Sequence, residues 1–290
     1  MPTTPPARSL IVVTGASTGM GAATARELAR RGFHVLAGVR RDSDAEAIRA
    51  ANIEPVILDI TRPEQVAELA RRVASDPAGR PLRALVNNAG VAANAPVEAL
   101  PLADWRWVFE VNVFGQIAVT QALLPALLAG SGRVVNISAV LGKVSLPASG
   151  AYSGSKFALE AISDSLRREL APEGVRVVVV QPGGVRTQMR RRGLAKAGEL
   201  TTGMSADHQR RYGPLMRAVV KQIDAFTDAG VSAEKAALVI ARAVTERRPR
   251  TRYTVGRDAA ALTRLARVLP DRLLDRVLAA NFRPHFEKAG

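Results

Sequence analysis

A phenol and an ammonium held side by side can move a proton between a substrate and solvent. Tyr152 and Lys156 stand four residues apart in Ala151-Tyr-Ser-Gly-Ser-Lys-Phe-Ala-Leu-Glu160. The apolar residues around them, Phe157, Ala158, Ala161, Ile162 and Leu166, recur at helical intervals. Residues i and i+4 share a helix face, so the ammonium approaches the phenol from the same side. A free tyrosine ionises near pH ~10 and is a poor acid or base at neutrality. A fixed positive charge beside it favours the phenolate and brings it toward the working range. Alone, Tyr-x-x-x-Lys arises by chance on any solvated helix. Its weight comes from the elements that would position it.

The segment Ser9-Leu-Ile-Val-Val-Thr-Gly15 reads as a buried strand running into a turn. Ala16, Ser17, Thr18, Gly19, Met20 and Gly21 follow, then a helical run from Ala22 to Arg31 that stops at Gly32. Glycines at 15, 19 and 21 let the backbone turn without a Cβ clash and let a pyrophosphate approach the helix N-terminus. His34-Val-Leu-Ala-Gly-Val39 completes a strand–helix–strand unit of dinucleotide-binding type. The spacing is Gly-x-x-x-Gly-x-Gly, not the commoner Gly-x-Gly-x-x-Gly. Read by itself, it also fits an ordinary glycine-rich turn.

Further along stand Asn87-Asn-Ala89-Gly90, Asn112 within Trp105-Arg-Trp-Val-Phe-Glu-Val-Asn-Val-Phe-Gly115, and Pro182-Gly183-Gly184-Val185-Arg-Thr187. In their order and spacing, these motifs together with Thr14 to Gly21 and Tyr152-x-x-x-Lys156 resemble the short-chain dehydrogenase/reductases. The chain's end, Arg250-Thr-Arg-Tyr-Thr-Val-Gly256 and an Arg/Leu-rich helix around Pro270, is similar to the steroid- and retinol-dehydrogenase-like branch. The match covers roughly residues 8 to 190, with a looser echo to about 257. The resemblance implies an α/β fold, a Rossmann-type doubly wound parallel sheet of about seven strands, and hydride transfer between a nicotinamide and a carbonyl or carbinol carbon.

Carried over residue by residue, the resemblance makes Tyr152 the general acid/base. Lys156 would lower the phenol pKa and bind the nicotinamide ribose, and Asn112 would hold a water that links Lys156 to solvent. Gly15, Ser17, Thr18, Gly19, Met20 and Gly21 would cradle the cofactor, Asp59 and Ile60 would meet its adenine, and Asn87, Ala89 and Gly90 its adenosine side. Pro182, Gly183, Val185 and Thr187 would hold the nicotinamide, while Ser138, Ala139, Val140, Gly184 and Met189 would face the substrate. Without the flanking motifs, Asn112 would read as a polar residue ending hydrogen bonds inside a helix, and Asp59 as a helix cap before Pro63.

One position departs from the family. Counting back from Tyr152 and from Gly142, the usual catalytic serine falls on Ala139, with Ser138 one residue early. On a strand, that offset points the side chain to the opposite face. The missing hydroxyl would donate to the substrate oxygen, and losing such a donor costs on the order of 10²–10³ in rate. Three readings stand: a deliberate Ser-to-Ala change, use of Ser138 through a local bend, or a protein that binds more than it turns over.

Cofactor preference follows from the second strand, which ends Gly38-Val-Arg40-Arg41-Asp42 with no acid to accept from a ribose 2′-hydroxyl. Arginine offers a permanently charged fork to a 2′-phosphate. NADP(H) is therefore expected, with Arg40 the first ligand and Arg41 the second. Asp42 reads as a cap for the next helix.

At 290 residues the chain suits one α/β domain. Strands near 9–14, 34–39, 54–58, 83–87, 132–138, 174–180 and 251–255 alternate with amphipathic helical stretches, which calls for a parallel sheet covered on both faces. Residues 1–7 read as a disordered leader without the apolar stretch of a signal peptide, and 8–290 as the domain. No uninterrupted apolar run approaches the ~18 residues of a membrane span. With no cysteine and three scattered histidines, no metal site is expected, and a reducing cytoplasm is the simplest location.

The net charge of +15 is concentrated in residues 190–290, which hold 21 Lys or Arg against 10 Asp or Glu. No aromatic platform or DNA-reading motif accompanies it, so nucleic acid is not an expected partner. Arg190-Arg-Arg192 could meet an anionic group. Residues 188–230, with Met189, Leu194, Met204, Tyr212, Leu215, Met216, Val219 and Phe226, read as a substrate cap with an apolar inner face. In the extension 258–290, Leu262, Leu265, Leu269, Leu273, Val277 and Leu278 form an apolar stripe. Packing against its own domain or a sister subunit explains that stripe more economically than membrane contact. A bulky apolar carbonyl or alcohol is the expected substrate, and a homodimer or homotetramer the expected assembly.

Overall fold

The computed structural model describes residues 9–286, the side chain of Arg190 excepted; the expected leader and the last four residues lie outside that range. In chain order the elements are β1 (Leu10–Val13), α1 (Gly19–Arg30), β2 (His34–Val39), α2 (Asp42–Ile48), β3 (Ile53–Ile57), α3 (Pro63–Ala74) and β4 (Leu82–Asn87). There follow α4 (Leu102–Phe109), a π-helical turn (Glu110–Phe114), α5 (Gly115–Ala129), β5 (Arg133–Ile137), a 3-10 turn (Val140–Gly142), α6 (Gly150–Glu169) and β6 (Arg176–Pro182). The remainder is β7 (Val185–Arg186), α7 (Gln188–Thr202), α8 (Ala206–Asp228), β8 (Val231–Ser232), α9 (Ala233–Thr245), β9 (Arg252–Val255), α10 (Arg257–Val268) and α11 (Asp271–Phe282).

Seven strands form one parallel sheet in the order β3-β2-β1-β4-β5-β6-β9. The chain winds outward from β1 to β3, then returns to β4 on the other side. The crevice between the ends of β1 and β4 is therefore the switch point at which such sheets bind ligands. Side chains alternate between the faces: Ile11 and Val13 pack with Leu28 of α1 and Ile240 of α9, while Leu10 and Val12 pack with Leu69 of α3 and Leu123 of α5. Both faces are covered, and that is why the strands read as continuous apolar runs and not as alternating ones.

The seven expected strands are present, with ends shifted by one or two residues. β6 runs on to Pro182 because β9 pairs with it there, Pro182 opposite Val255. The two-residue pair of β7 and β8 was not anticipated; it ties the chain entering α7 to the chain leaving α8. The segment that carries Asn112 lies in a helical run from Leu102 to Ala129, interrupted by the π-turn. Although it holds no long uninterrupted apolar stretch, an 18-residue window of this run reaches a mean hydropathy of 1.5, long and apolar enough by length and composition alone to cross a membrane, and half of that window is packed inside the fold. A third apolar cluster joins Met204, Met216 and Val219 of the α7–α8 segment to Ala93, Ala95, Val108 and Ala151, seating that segment over the C-terminal ends of the strands.

Candidate active site

The switch point is stitched shut by two polar side chains. Thr14 Oγ1 accepts from the main-chain N–H groups of Asn88 and Ala89, each at 3.0 Å. Asn88 Nδ2 donates to the carbonyls of Thr14 at 2.9 Å and Gly15 at 3.1 Å. Gly15 and Gly19 adopt the left-handed region (φ +63° and +57°), and a Cβ on Gly21 would run into Gly15 O and Asn88 Nδ2. The main chain is left bare where it enters α1, whose N-cap, Thr18, makes no side-chain cap. A bare helix N-terminus at the end of a parallel strand suits a phosphate.

A groove of about 560 Å³ opens there. Of the residues expected to hold a cofactor, Gly15, Ser17, Thr18, Gly19, Met20, Gly21, Arg40, Asp59, Ile60, Ala89, Gly90 and Thr187 line it. Asp59 Oδ1 accepts from Thr61 N (3.0 Å) and Thr61 Oγ1 (2.7 Å), so it caps a tight turn and not helix α3, whose N-cap is Arg62. Burial pushes this carboxyl up, but the Thr61 hydrogen bonds and the charges of Arg40 and Arg62 hold it below its ordinary value.

Arg41 and Asn87, also expected to hold the cofactor, are not on the groove's wall. Arg41 is the exposed N-cap of α2, turned away from the groove because the helix begins at once. Asp42 accordingly sits in the helix's first turn and is not its cap. Asn87 is buried, donating to Thr120 Oγ1 and Asn136 Oδ1 at 2.9 Å each, and so pins β4 to α5 and β5. Unanticipated walls are Asn88, Arg106 and Trp107 of α4, and Arg192 and Lys196 of α7. Asn88 belongs to the Asn87–Gly90 motif, Arg106 and Trp107 to the segment that carries Asn112, and Arg192 to the arginine run expected to meet an anionic group; Lys196 comes without a local signal.

The groove continues into a cavity of about 670 Å³, the two sharing Met20, Ala92, Thr187, Met189 and Gly193 on their walls. Tyr152, Ser138, Ala139, Val140, Gly184 and Met189 line this second space, as do Pro182, Gly183 and Val185. Its far walls are apolar: Val219 and Phe226 of α8, Leu262 and Leu265 of α10, Val277 and Leu278 of α11. Four stripe residues thus line the cavity, Leu265 with part of its surface still exposed, while Leu273 is exposed and lines no part of it. Tyr212 of the expected cap turns outward and donates to Glu98.

Lys156 is almost fully buried and its Nζ donates to Ile137 O at 2.8 Å, 5.9 Å from the Tyr152 ring centroid. Burial pushes the Tyr152 phenol up to about 12 and pulls the Lys156 ammonium down to about 8, the latter opposed by the charge of Glu160. The expectation that Lys156 lowers the phenol is therefore not met by the protein alone: burial prevails. Asn112 sits in the π-turn with no exposed surface. Its Oδ1 accepts from Val91 N (2.8 Å), and its Nδ2 donates to Val91 O (2.9 Å) and Ser155 Oγ (3.0 Å). Both amide hydrogens are spent, so any water taken up by Asn112 falls mainly to its main-chain carbonyl.

At Ala139 the backbone is extended (φ −159°, ψ 165°), so Ser138 and Ala139 face opposite ways. Ser138 Oγ is buried without a partner and turned into the Val140–Gly142 turn; a Cβ on Gly142 would lie 2.7 Å from it. Ser138 and Ala139 both border the cavity, with the Ser138 hydroxyl on the Gly142 side. Among the described residues, no three His, Cys, Asp or Glu side chains converge as a metal site would require.

A family model described as short chain dehydrogenase matches residues 9–197. The chain belongs to the short-chain dehydrogenase family. Mouse retinol dehydrogenase 5 is 38% identical over 285 residues, covering 94% of this chain and 89% of that one, which places the chain in the retinol-dehydrogenase-like branch. Among solved structures, a short chain dehydrogenase from Burkholderia cenocepacia in complex with NADP superposes with a TM-score of 0.72 at 28% identity, covering 95% of this chain and 97% of the other. A relative from Burkholderia phymatum in complex with NAD gives 0.75 at 25% identity, covering 98% of each chain. This short-chain dehydrogenase is thus an oxidoreductase by family, with neighbours that take either dinucleotide.

Proposed function

We propose that this short-chain dehydrogenase uses NADP(H) to interconvert a carbonyl and an alcohol on a bulky apolar molecule. The observation that carries the reading is the meeting of two spaces: a glycine-lined groove at the sheet's switch point opens into an apolar cavity, and Tyr152 stands on the cavity wall. When bound, the nicotinamide supplies or takes the hydride. Gly15 to Gly21 would receive the pyrophosphate at the start of α1, and Thr187, Pro182 and Gly183 the carboxamide end. Tyr152 would give its proton to the carbonyl oxygen during reduction. It stays protonated across the neutral range, since burial holds its pKa near 12, and Lys156 would refill it. Oxidation needs the phenolate, which requires Lys156 to turn from Ile137 O toward the phenol. The low value of Lys156, about 8, suits a proton relay working near neutrality.

Arg40 on the groove wall, with no acid at the end of β2, supports a 2′-phosphate and so NADP(H) over NAD(H). The mouse relative's name, retinol dehydrogenase, agrees with a long apolar substrate. Ala139 supports a second reading, a protein with weak turnover that mainly binds NADPH. We place the protein in the cytoplasm as a homodimer or homotetramer; Phe114 (56% exposed) and Phe157 (44%) on the α4–α5 and α6 surface support pairing.

Fluorescence titration should find NADPH bound about tenfold or more tightly than NADH, with Arg40→Ala removing most of the difference. Turnover of trans-retinal and a panel of apolar aldehydes and ketones with NADPH tests the chemistry. Equal affinities would refute the cofactor assignment. Tight NADPH binding with no turnover on the whole panel would favour the second reading.

A further inference from the structure

The turn that leaves β6 is gripped by a carboxylate 74 residues away. Gly184 N–H donates to Asp258 Oδ2 at 3.0 Å, and Gly183 N–H to Val255 O at 3.0 Å. A Cβ on Gly183 would collide with Asp258 Oδ2, and one on Gly256, whose φ is +98°, with Asp258 Oδ1. The carboxylate thus fills the space beside both glycines, and Gly256 is further favoured by its left-handed φ. On its other side, Gly184 is pressed against the end of α8: a Cβ there would meet Phe226 O, and its own carbonyl accepts from Val231 N at 2.9 Å. Asp258 lies in the first turn of α10, whose Leu262 and Leu265 wall the apolar cavity, and Asp258 itself touches that cavity.

We propose that Asp258 is a positioning residue that fixes the Gly183–Gly184 turn against the nicotinamide and ties it to the helices walling the substrate cavity. The proposal rests on the oxidoreductase reading above. The competing explanation is that an aspartate at a helix N-terminus merely stabilises α10 through its charge. The two differ for asparagine. Its amide oxygen can still accept from Gly184 N–H, but the charge is gone.

The test compares Asp258→Ala and Asp258→Asn in the full chain. Affinity for 2′,5′-ADP reports the adenosine half of the groove, which Asp258 does not touch; NADPH affinity and trans-retinal turnover report the nicotinamide half. Alanine should leave 2′,5′-ADP affinity within about twofold of the parent. It should cut kcat by about tenfold or more, since small misplacements of reacting groups carry large rate costs. Asparagine should restore kcat to within about threefold of the parent, the change expected from a weakened but retained acceptor. Parental kcat in the alanine variant overturns the proposal, as does equal loss of 2′,5′-ADP and NADPH binding, or asparagine as damaging as alanine. If the parent turns over nothing, the oxidoreductase reading fails on that result. Positioning is then judged from the ratio of NADPH to 2′,5′-ADP affinity, expected to fall by about fivefold with alanine and to hold with asparagine; an unchanged ratio with alanine overturns it.

Discussion

Asn112→Ala separates a structural pin from a group that serves chemistry alone. The substitution deletes every hydrogen bond of the side chain: that accepted from Val91 N and those donated to Val91 O and Ser155 Oγ. Ser155 Oγ keeps its own bond to Tyr152 O, so the loss falls on the two Val91 main-chain groups. Each buried polar group left unpaired costs about 1–3 kcal/mol. Val91 is only half-buried and lines the cofactor groove, so water reaches part of it and a total of about 2–4 kcal/mol is expected. For a chain of this size, with an unfolding entropy of about 0.6 kcal/mol/K, that corresponds to a Tm lower by about 3–7 °C. Asn112→Asp should be worse, because it keeps the acceptor but sets a buried carboxylate against Val91 O. Thermal unfolding of the cofactor-free protein measures both, with NADPH titration alongside. A Tm within about 2 °C of the parent, accompanied by lost turnover, would refute the pin.

Three further outcomes are expected. In the cofactor-free protein, Lys156 titrates near 8 and its unfolded counterpart near 10.5, so between those values the unfolded chain holds the extra proton and this group makes stability rise with pH. The rise is at most about 3 kcal/mol, and urea unfolding of Lys156→Met at about pH 7 and pH 10 should lack it; a variant with the same slope as the parent would contradict the burial of the ammonium. Ala139→Ser places a hydroxyl on the cavity side of the extended backbone and should raise kcat about 10²-fold while leaving NADPH affinity unchanged, with Ser138→Ala then having little effect. If Ser138→Ala abolishes activity in the present sequence and Ala139→Ser adds nothing, Ser138 is the working hydroxyl. Light scattering should show a mass at least twice the 30.8 kDa of one chain, and a monomer at micromolar concentration would refute the pairing.

What was legible in the sequence is what the backbone decides over a few residues. Gly15, Gly19 and Gly21 announce a turn that only glycine fits, and apolar runs of strand length announce buried parallel strands. The Tyr152–Lys156 spacing announces a shared helix face. What was not legible depends on chain segments far apart. Arg106 and Trp107, about ninety residues beyond the glycine turn, and Arg192 and Lys196, about 175 beyond it, reach the groove only because α4 and α7 fold toward it. The phenol's state turned on burial, and no spacing rule reports how much water a fold excludes.

The pair Arg40 and Arg41 shows where the boundary runs. Successive residues at the end of a strand point to opposite sides, so at most one arginine could face the groove, but composition leaves both open. The choice falls to Arg40 because α2 begins at Asp42 and takes Arg41 as its N-cap. The π-turn poses the same problem at Asn112. Helical periodicity runs unbroken from Leu102 to Ala129, and nothing in local propensity asks for an extra residue in the turn. The turn persists where Asn112 is drawn inward by Val91 and Ser155, partners 21 and 43 residues away. The residues nearest the chemistry are thus the ones whose local structure yields to distant hydrogen bonds, and that is where a reading of sequence alone must lose register.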